Sequence, residues 1–271
     1  MISGAESFYT IDVKLEYNLE CETSILLAIQ PLTDSEQMLE SENLTVNSLP
    51  VTHDEPTPDS LARYRWLRAP AGPLSIHYTA QVSVLRTVAN LFPLPLTPLD
   101  QLPPALAPWL FASRHCDPVR FERVLSDEVN LPPGWVADGS TILAIRDWIT
   151  AHLAYAPTSN SQTTATDTYV ERTGVCRDFA HLMVALSRAA GVPARFVSCY
   201  AWQLDPPDFH AVAEVWLDGR WHLVDATSLA DPAHLIRIAR TSDAIDASFL
   251  TLFGAGEMVS QHVSVTKLNS H

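Results

Sequence analysis

Three residues of this chain have the types and positions that could make and assist a nucleophile. Cys176 lies in Gly174-Val175-Cys176-Arg177-Asp178-Phe179-Ala180. It opens a predicted apolar helix that runs to about Ala190 and stops at Gly191, with Pro193 just beyond. A helix start carries unpaired N–H groups and about half a positive charge, which favours a thiolate over a thiol. Such a nucleophile needs a base within reach and a group to orient that base. His210, starting a predicted strand, and Asp225, ending the next, are of those types. Between them Asp218-Gly219 is a strong signal for a two-residue hairpin. In such a hairpin paired residue numbers sum to about 437, which puts His210 near the partner of Thr227 and at the same end as Asp225.

The chemistry follows from the types. His210 takes the thiol proton, or holds it in an imidazolium–thiolate pair, and later protonates a leaving amine. Asp225 fixes the tautomer of His210 and stabilises its charged form. The Cys176 N–H is a candidate oxyanion donor, and the sequence does not name a second. His181 is the rival base, but five residues along an ideal helix rotate it by about 140° from Cys176, so it is expected to support the helix from the side. His222 alternates with Trp221 and Leu223 and is expected to face outward. Asp208 could touch substrate or the histidine loop. Cys116 and Cys199 are expected to be structural. A metal on His210 and Asp225 would lack a further spaced His or Cys pair, so neither metal nor cofactor is predicted.

The elements that must position these residues fall into two groups. Residues 8–17 and 74–88 alternate apolar and polar as half-buried strands do, and residues 24–29 and 63–67 are further strand candidates. Short strands separated by turns suggest an antiparallel sandwich over 1–90. Six prolines between Leu91 and Pro108, without a glycine, mark 91–112 as a semi-rigid linker. Thereafter the periodicity becomes helical. Asp117-Pro118 caps a helix to about Val129, Pro132-Pro133-Gly134 breaks the chain, and Ser140 caps a helix through His152. After a Ser/Thr/Asn-rich loop at 158–168 and a short turn at 168–172 comes the Cys176 helix. Strands follow at 194–202, 210–217 and 220–225, making 113–271 an α+β domain.

Composition bounds the rest. The 271 residues are 47% apolar, enough for a substantial core, and the net charge is −14 from 17 basic and 31 acidic residues. No Lys/Arg run provides a nucleic-acid or anionic-membrane surface. Residues 1–7 show no signal-peptide pattern, and no apolar stretch reaches a membrane span. The four cysteines have no paired spacing, which fits a reduced cytoplasm.

These motifs carry a family resemblance. Thr173 to His181 resembles the nucleophile motif of the bacterial transglutaminase-like superfamily, and Gly191-Val192-Pro193-Ala194-Arg195-Phe196-Val197-Ser198 the strand that follows it. Asp208-Phe209-His210-Ala211-Val212-Ala213-Glu214-Val215 resembles its histidine motif, and Trp221-His222-Leu223-Val224-Asp225-Ala226 its aspartate motif. The N-terminal half resembles the sandwich that precedes many bacterial catalytic domains. The resemblance implies a papain-like thiol fold with Cys176, His210 and Asp225 as a triad. It implies a peptide or protein substrate, and a cysteine protease or amidase that works through a Cys acyl-enzyme. Hydrolysis is favoured because no calcium-loop motif or second-substrate feature is visible. A protein-glutamine transglutaminase and a non-catalytic binding module keeping the fold are the alternatives. Val212 stands where many relatives have Trp, which implies an altered cleft wall; Ala226 stands where many have Pro.

Overall fold

The computed structural model describes residues 6–51, 60–132 and 134–268. Residues 1–5, where no targeting signal is expected, and Pro133 of the expected break lie outside that set. The alternating N-terminal sequence forms β1 (Ser7–Leu19), in which Tyr9, Ile11, Val13 and Leu15 are fully buried. It is followed by β2 (Thr23–Leu27), β3 (Gln37–Val46), β4 (Leu49–Pro50), β5 (Arg65–Ala69) and β6 (Gly72–Val84). The strand β3 carries Glu40-Ser41-Glu42-Asn43 in its middle, and of its apolar residues only Leu44 is buried, so alternation does not announce it.

The proline-rich segment 91–112 is ordered against the second half of the molecule. Leu91 and Leu106 are buried, and Trp109 meets the edge of Trp221 at 6.1 Å. Proline takes away N–H donors but leaves carbonyls, and three of the segment's carbonyls are used by the second half. Leu94 O accepts from Gly139 N–H at 2.8 Å, Pro95 O from Asp218 N–H at 3.0 Å and Phe111 O from Arg188 Nη1 at 2.9 Å. The helix expected at 117–129 is a tight turn at Pro118–Phe121, capped by Asp117, running into α1 (Glu122–Asp127). Next comes α2 (Gly139–His152), capped by Asp138, whose carboxylate accepts from Thr141 N–H at 3.0 Å. Then follow β7 (Ala154–Tyr155), α3 (Ala165–Glu171), β8 (Thr173–Gly174) and α4 (Cys176–Ala189). The chain leaves α4 through Gly191 at φ +76°, the left-handed exit that glycine favours.

A four-stranded antiparallel sheet takes up the rest of this half: β9 (Ala194–Ala201), β10 (Phe209–Leu217), β11 (Arg220–Val224) and β12 (Leu235–Thr241), in the order β11-β10-β9-β12. Asp218 and Gly219 both have positive φ, 49° and 75°, as the tight turn between β10 and β11 requires. Pairs from Ala213–Val224 to Leu217–Arg220 keep the constant sum. One face of this sheet packs on α4: Phe179, Leu182 and Met183 share a core with Ala194, Ala213 and Val215. Further along the same face Tyr200 and Ile236 enter the sandwich core, while Val197, Cys199, Val212 and Leu223 pack together on the other. The fold is α+β.

The last two strands, β13 (Leu250–Phe253) and β14 (Gly256–Leu268), return to the N-terminal half. They give sheet orders β14-β1-β6-β3-β4 and β13-β2-β5. The expected division at 1–90, 91–112 and 113–271 is corrected on this point. The alternation along β1 records a buried face and says nothing of which strand pairs beside it.

Candidate active site

Cys176 stands where α4 begins because a short local frame holds that start. Ala154 N–H donates to Arg172 O at 2.8 Å and Ala156 N–H to Gly174 O at 2.9 Å, so β7 and β8 run as a parallel pair into the helix. Asp178, fully buried, accepts from Val175 N–H at 2.8 Å and from Arg177 at 3.0 Å, and Ser159 Oγ also donates to it. An acidic group on the first turn satisfies open donors and complements the helix dipole. Gly174 leaves room for it: a Cβ there would lie 2.7 Å from Asp178 Cβ and 2.9 Å from its Oδ2.

His210 and Asp225 meet at one end of the β10–β11 hairpin, His210 Nε2 to Asp225 Oδ2 at 3.0 Å, with both side chains almost wholly buried. Asp225 also accepts from Thr227 N–H at 2.8 Å, Thr227 Oγ1 at 2.6 Å and Ala230 N–H at 2.9 Å. Burial pushes its carboxyl up, but the bonds from His210 and Thr227 overcome this and hold it below the usual carboxylate range. For His210, burial acts downward. The hydrogen bond to Asp225 and the contact with Cys176 outweigh it and carry the ring up to about 9. With Nε2 on Asp225, Nδ1 is the nitrogen that remains for the thiol. It is buried and makes no hydrogen bond of its own.

Tyr155 was not among the residues singled out from the sequence. Its ring leans on Phe179 at 5.9 Å, and its hydroxyl lies beside Cys176. Burial and the neighbouring Cys176 push the hydroxyl up to about 12. The two-residue pairing that brings it there is too short to leave a sequence pattern.

The other residues lie elsewhere. His181 is buried; its Nε2 accepts from Ala244 N–H at 3.0 Å, and its ring stacks on His115 at 5.0 Å. Burial and His115 push it down to about 3, so it is a neutral support and no base. The expectation that His222 faces outward is corrected. It is 7% exposed and bonded to Leu217 O at 3.1 Å, and it pairs with Val215, so it points to the face of the hairpin that packs on α4. Cys116 and Cys199 are buried, and burial pushes both thiols up, that of Cys116 to about 12. Val212 is buried among Val197, Cys199 and Leu223, so it does not form the cleft wall that its departure from the family pattern implied. Among the described residues no three His, Cys, Asp or Glu side chains converge as a metal-holding group.

Cys176 and His210 open into a cavity of about 650 Å³. Arg114, Gln162 and Arg177 line it with polar groups; Phe209, Ile245 and Phe249 line it with apolar ones. Asp208 also borders it and accepts from Phe209 N–H at 2.6 Å and from Gln261. The arrangement has a thiol on a helix start, a charged imidazole beside it and a concave space for an acyl group, which together suit nucleophilic attack on a carbonyl carbon.

Comparison with known proteins shows the family and the fold. Residues 135–226 match the transglutaminase-like superfamily. The crystal structure of a candidate cysteine protease from Cytophaga hutchinsonii is similar to the whole molecule. It has 33% identity and a TM-score of 0.91, over 100% of this chain and 93% of that one. The periplasmic domain of TgpA from Pseudomonas aeruginosa is a more distant likeness, at 16% identity and a TM-score of 0.42, over 85% of this chain and 92% of that one. An uncharacterized protein of Mycobacterium leprae is 34% identical over 82 residues, which are 30% of this chain and span 28% of that protein's length.

Proposed function

The chain belongs to the transglutaminase-like superfamily, and from that premise we propose that it is a cysteine protease or amidase using Cys176, His210 and Asp225. One observation carries the reading: the His210 ring is held at Nε2 by Asp225 at 3.0 Å and leaves Nδ1 for the thiol. The thiolate of Cys176 attacks the substrate carbonyl carbon, and the C=O electron pair moves onto oxygen. The Cys176 N–H receives that oxyanion, with the Tyr155 hydroxyl turning to donate as second partner. As the tetrahedral species collapses, the C–N bond breaks and the nitrogen leaves with the proton from His210 Nδ1. A thioester on Cys176 remains. Water, deprotonated by the now neutral His210, attacks the thioester and releases the acid and the thiolate. Asp225 keeps its negative charge throughout and steadies the imidazolium.

Water is taken as the acceptor because the solved structure that resembles the whole chain is named as a candidate cysteine protease. A cytoplasmic location suits four cysteines that are all free. Among the described residues no helix is long and apolar enough to cross a membrane.

The test is intact-mass measurement after rapid quenching with a pool of peptides and cell-wall fragments, on wild type and Cys176→Ala. An added acyl mass on wild type alone, lost with time in water, supports the hydrolase. An acyl mass that clears only when a primary amine is supplied supports the transglutaminase. If no adduct forms with any member of the pool, the acyl-enzyme reading fails.

A further inference from the structure

The cavity at Cys176 has a wall that the catalytic half does not supply. Met258 and Gln261 line it from β14, which is paired with β1 in the sandwich sheet. Strand side chains alternate, so residues three apart should point to opposite faces. A bulge in β14 changes this. Tyr17 pairs with Met258, Glu16 with Ser260 and Leu15 with Gln261, which leaves Val259 as the extra residue. Met258 and Gln261 therefore share a face, the one on which Leu15 and Tyr17 fill the sandwich core. At this end the face is open: Met258 is 50% exposed, and Gln261 reaches across to Asp208.

Around Met258 the lining is apolar. Phe209 and Phe249 stack at 4.5 Å with 8° between their planes, and Ile245 is 46% exposed in the same cavity. Half-exposed Met and Ile side chains gain little for the core, whereas an apolar wall in a concave site is what a ligand side chain needs. The strand also points to the kind of ligand. Among the described residues β14 is terminal in its sheet, so its outer backbone groups have no strand partner and can pair with an extended peptide.

On the reading that Cys176 is the nucleophile, we infer that Phe209, Phe249, Ile245 and Met258 form a specificity subsite for a bulky apolar side chain, aromatic or long aliphatic, of an extended peptide near the scissile bond. The sandwich thus takes part in choosing the substrate, through a bulge that turns one of its strands over the cleft.

Peptidyl chloromethyl ketones that differ only in one residue beside the reactive group (Phe, Leu, Ala, Asp or Lys) test this through their rates of inactivation. The Phe and Leu reagents should react with Cys176 roughly ten- to a hundred-fold faster than the Ala, Asp and Lys reagents. Met258→Glu should erase that preference and leave the rate with iodoacetamide, which has no side chain to seat, unchanged. Equal rates across the series, or a preference that survives in Met258→Glu, overturn the subsite while fast iodoacetamide labelling keeps the nucleophile reading. If Cys176 reacts no faster with any reagent than exposed Cys21 does, the nucleophile reading falls, and the subsite falls with it.

Discussion

At the scale of single residues, His210 has two opposed influences on it. Burial disfavours its charge, and the Asp225 carboxylate with the Cys176 thiol restores it, so the ring titrates at about 9. Two outcomes follow. The imidazolium that protonates the leaving amine is lost above that value, so kcat/KM should fall on an alkaline limb near pH 9. Since the folded pKa lies above the ordinary value of 6.5, the stabilisation from charged His210 is complete below about pH 6.5 and disappears as pH rises through about 9. Asp225→Ala removes one of the two restoring groups and leaves Cys176 alone against burial. NMR titration of the ring should then give a value clearly below 9, and a ring still titrating near 9 would show that Asp225 does not set it. Residue types and spacing were enough to name Cys176, His210 and Asp225 from sequence. Tyr155 was not legible, because only the fold brings its hydroxyl beside Cys176.

At the scale of elements, the site depends on where α4 starts. Asp178 is locked by Val175, Arg177 and Ser159 and cannot yield to a Cβ on Gly174 placed 2.7 Å away. Gly174→Ala should therefore displace the first turn of α4. We expect a stability loss of about 1–3 kcal/mol by urea unfolding and at least a ten-fold drop in kcat with KM little changed, since a small misplacement of the nucleophile is costly. Full activity in Gly174→Ala would mean that the frame is not needed. The hairpin was legible because Asp-Gly dictates its own geometry, and α4 because a glycine exit follows an apolar run. His222 was misread for the opposite reason: strand alternation identifies two faces, and long-range packing decides which of them turns to the core. The strand β3 was missed because its middle is acidic and polar.

At the scale of the whole molecule, the two halves are joined through a buried charge network. Glu214 on β10, fully buried, accepts from Arg195 Nε at 2.7 Å and Arg237 Nε at 2.6 Å; Arg237 in turn reaches Glu36 of the N-terminal half at 2.8 Å. Tyr200 adds a hydrogen bond to Ile29 O at 2.6 Å. Glu214→Ala leaves buried guanidinium groups without their carboxylate and should cost about 3–5 kcal/mol. Calorimetry of the variant should show a single transition at lower temperature, because β13 and β14 fold with the sandwich. Two separated transitions would contradict that coupling. The sequence made each half recognisable as a type, β-rich and then α+β. It could not show that the chain's end returns to β1 and β2, since pairing partners are set by long-range packing and not by local pattern.

If His210 activates Cys176, the thiol must be the fastest-reacting cysteine of the molecule. Iodoacetamide labelling at pH 7, followed for each cysteine by peptide mapping in wild type and His210→Ala, measures this. Cys176 should be alkylated at least about ten-fold faster than the exposed Cys21 in wild type, and His210→Ala should abolish this advantage. Equal reactivity of Cys176 and Cys21 in wild type, or an advantage of Cys176 that survives without His210, would contradict activation by His210.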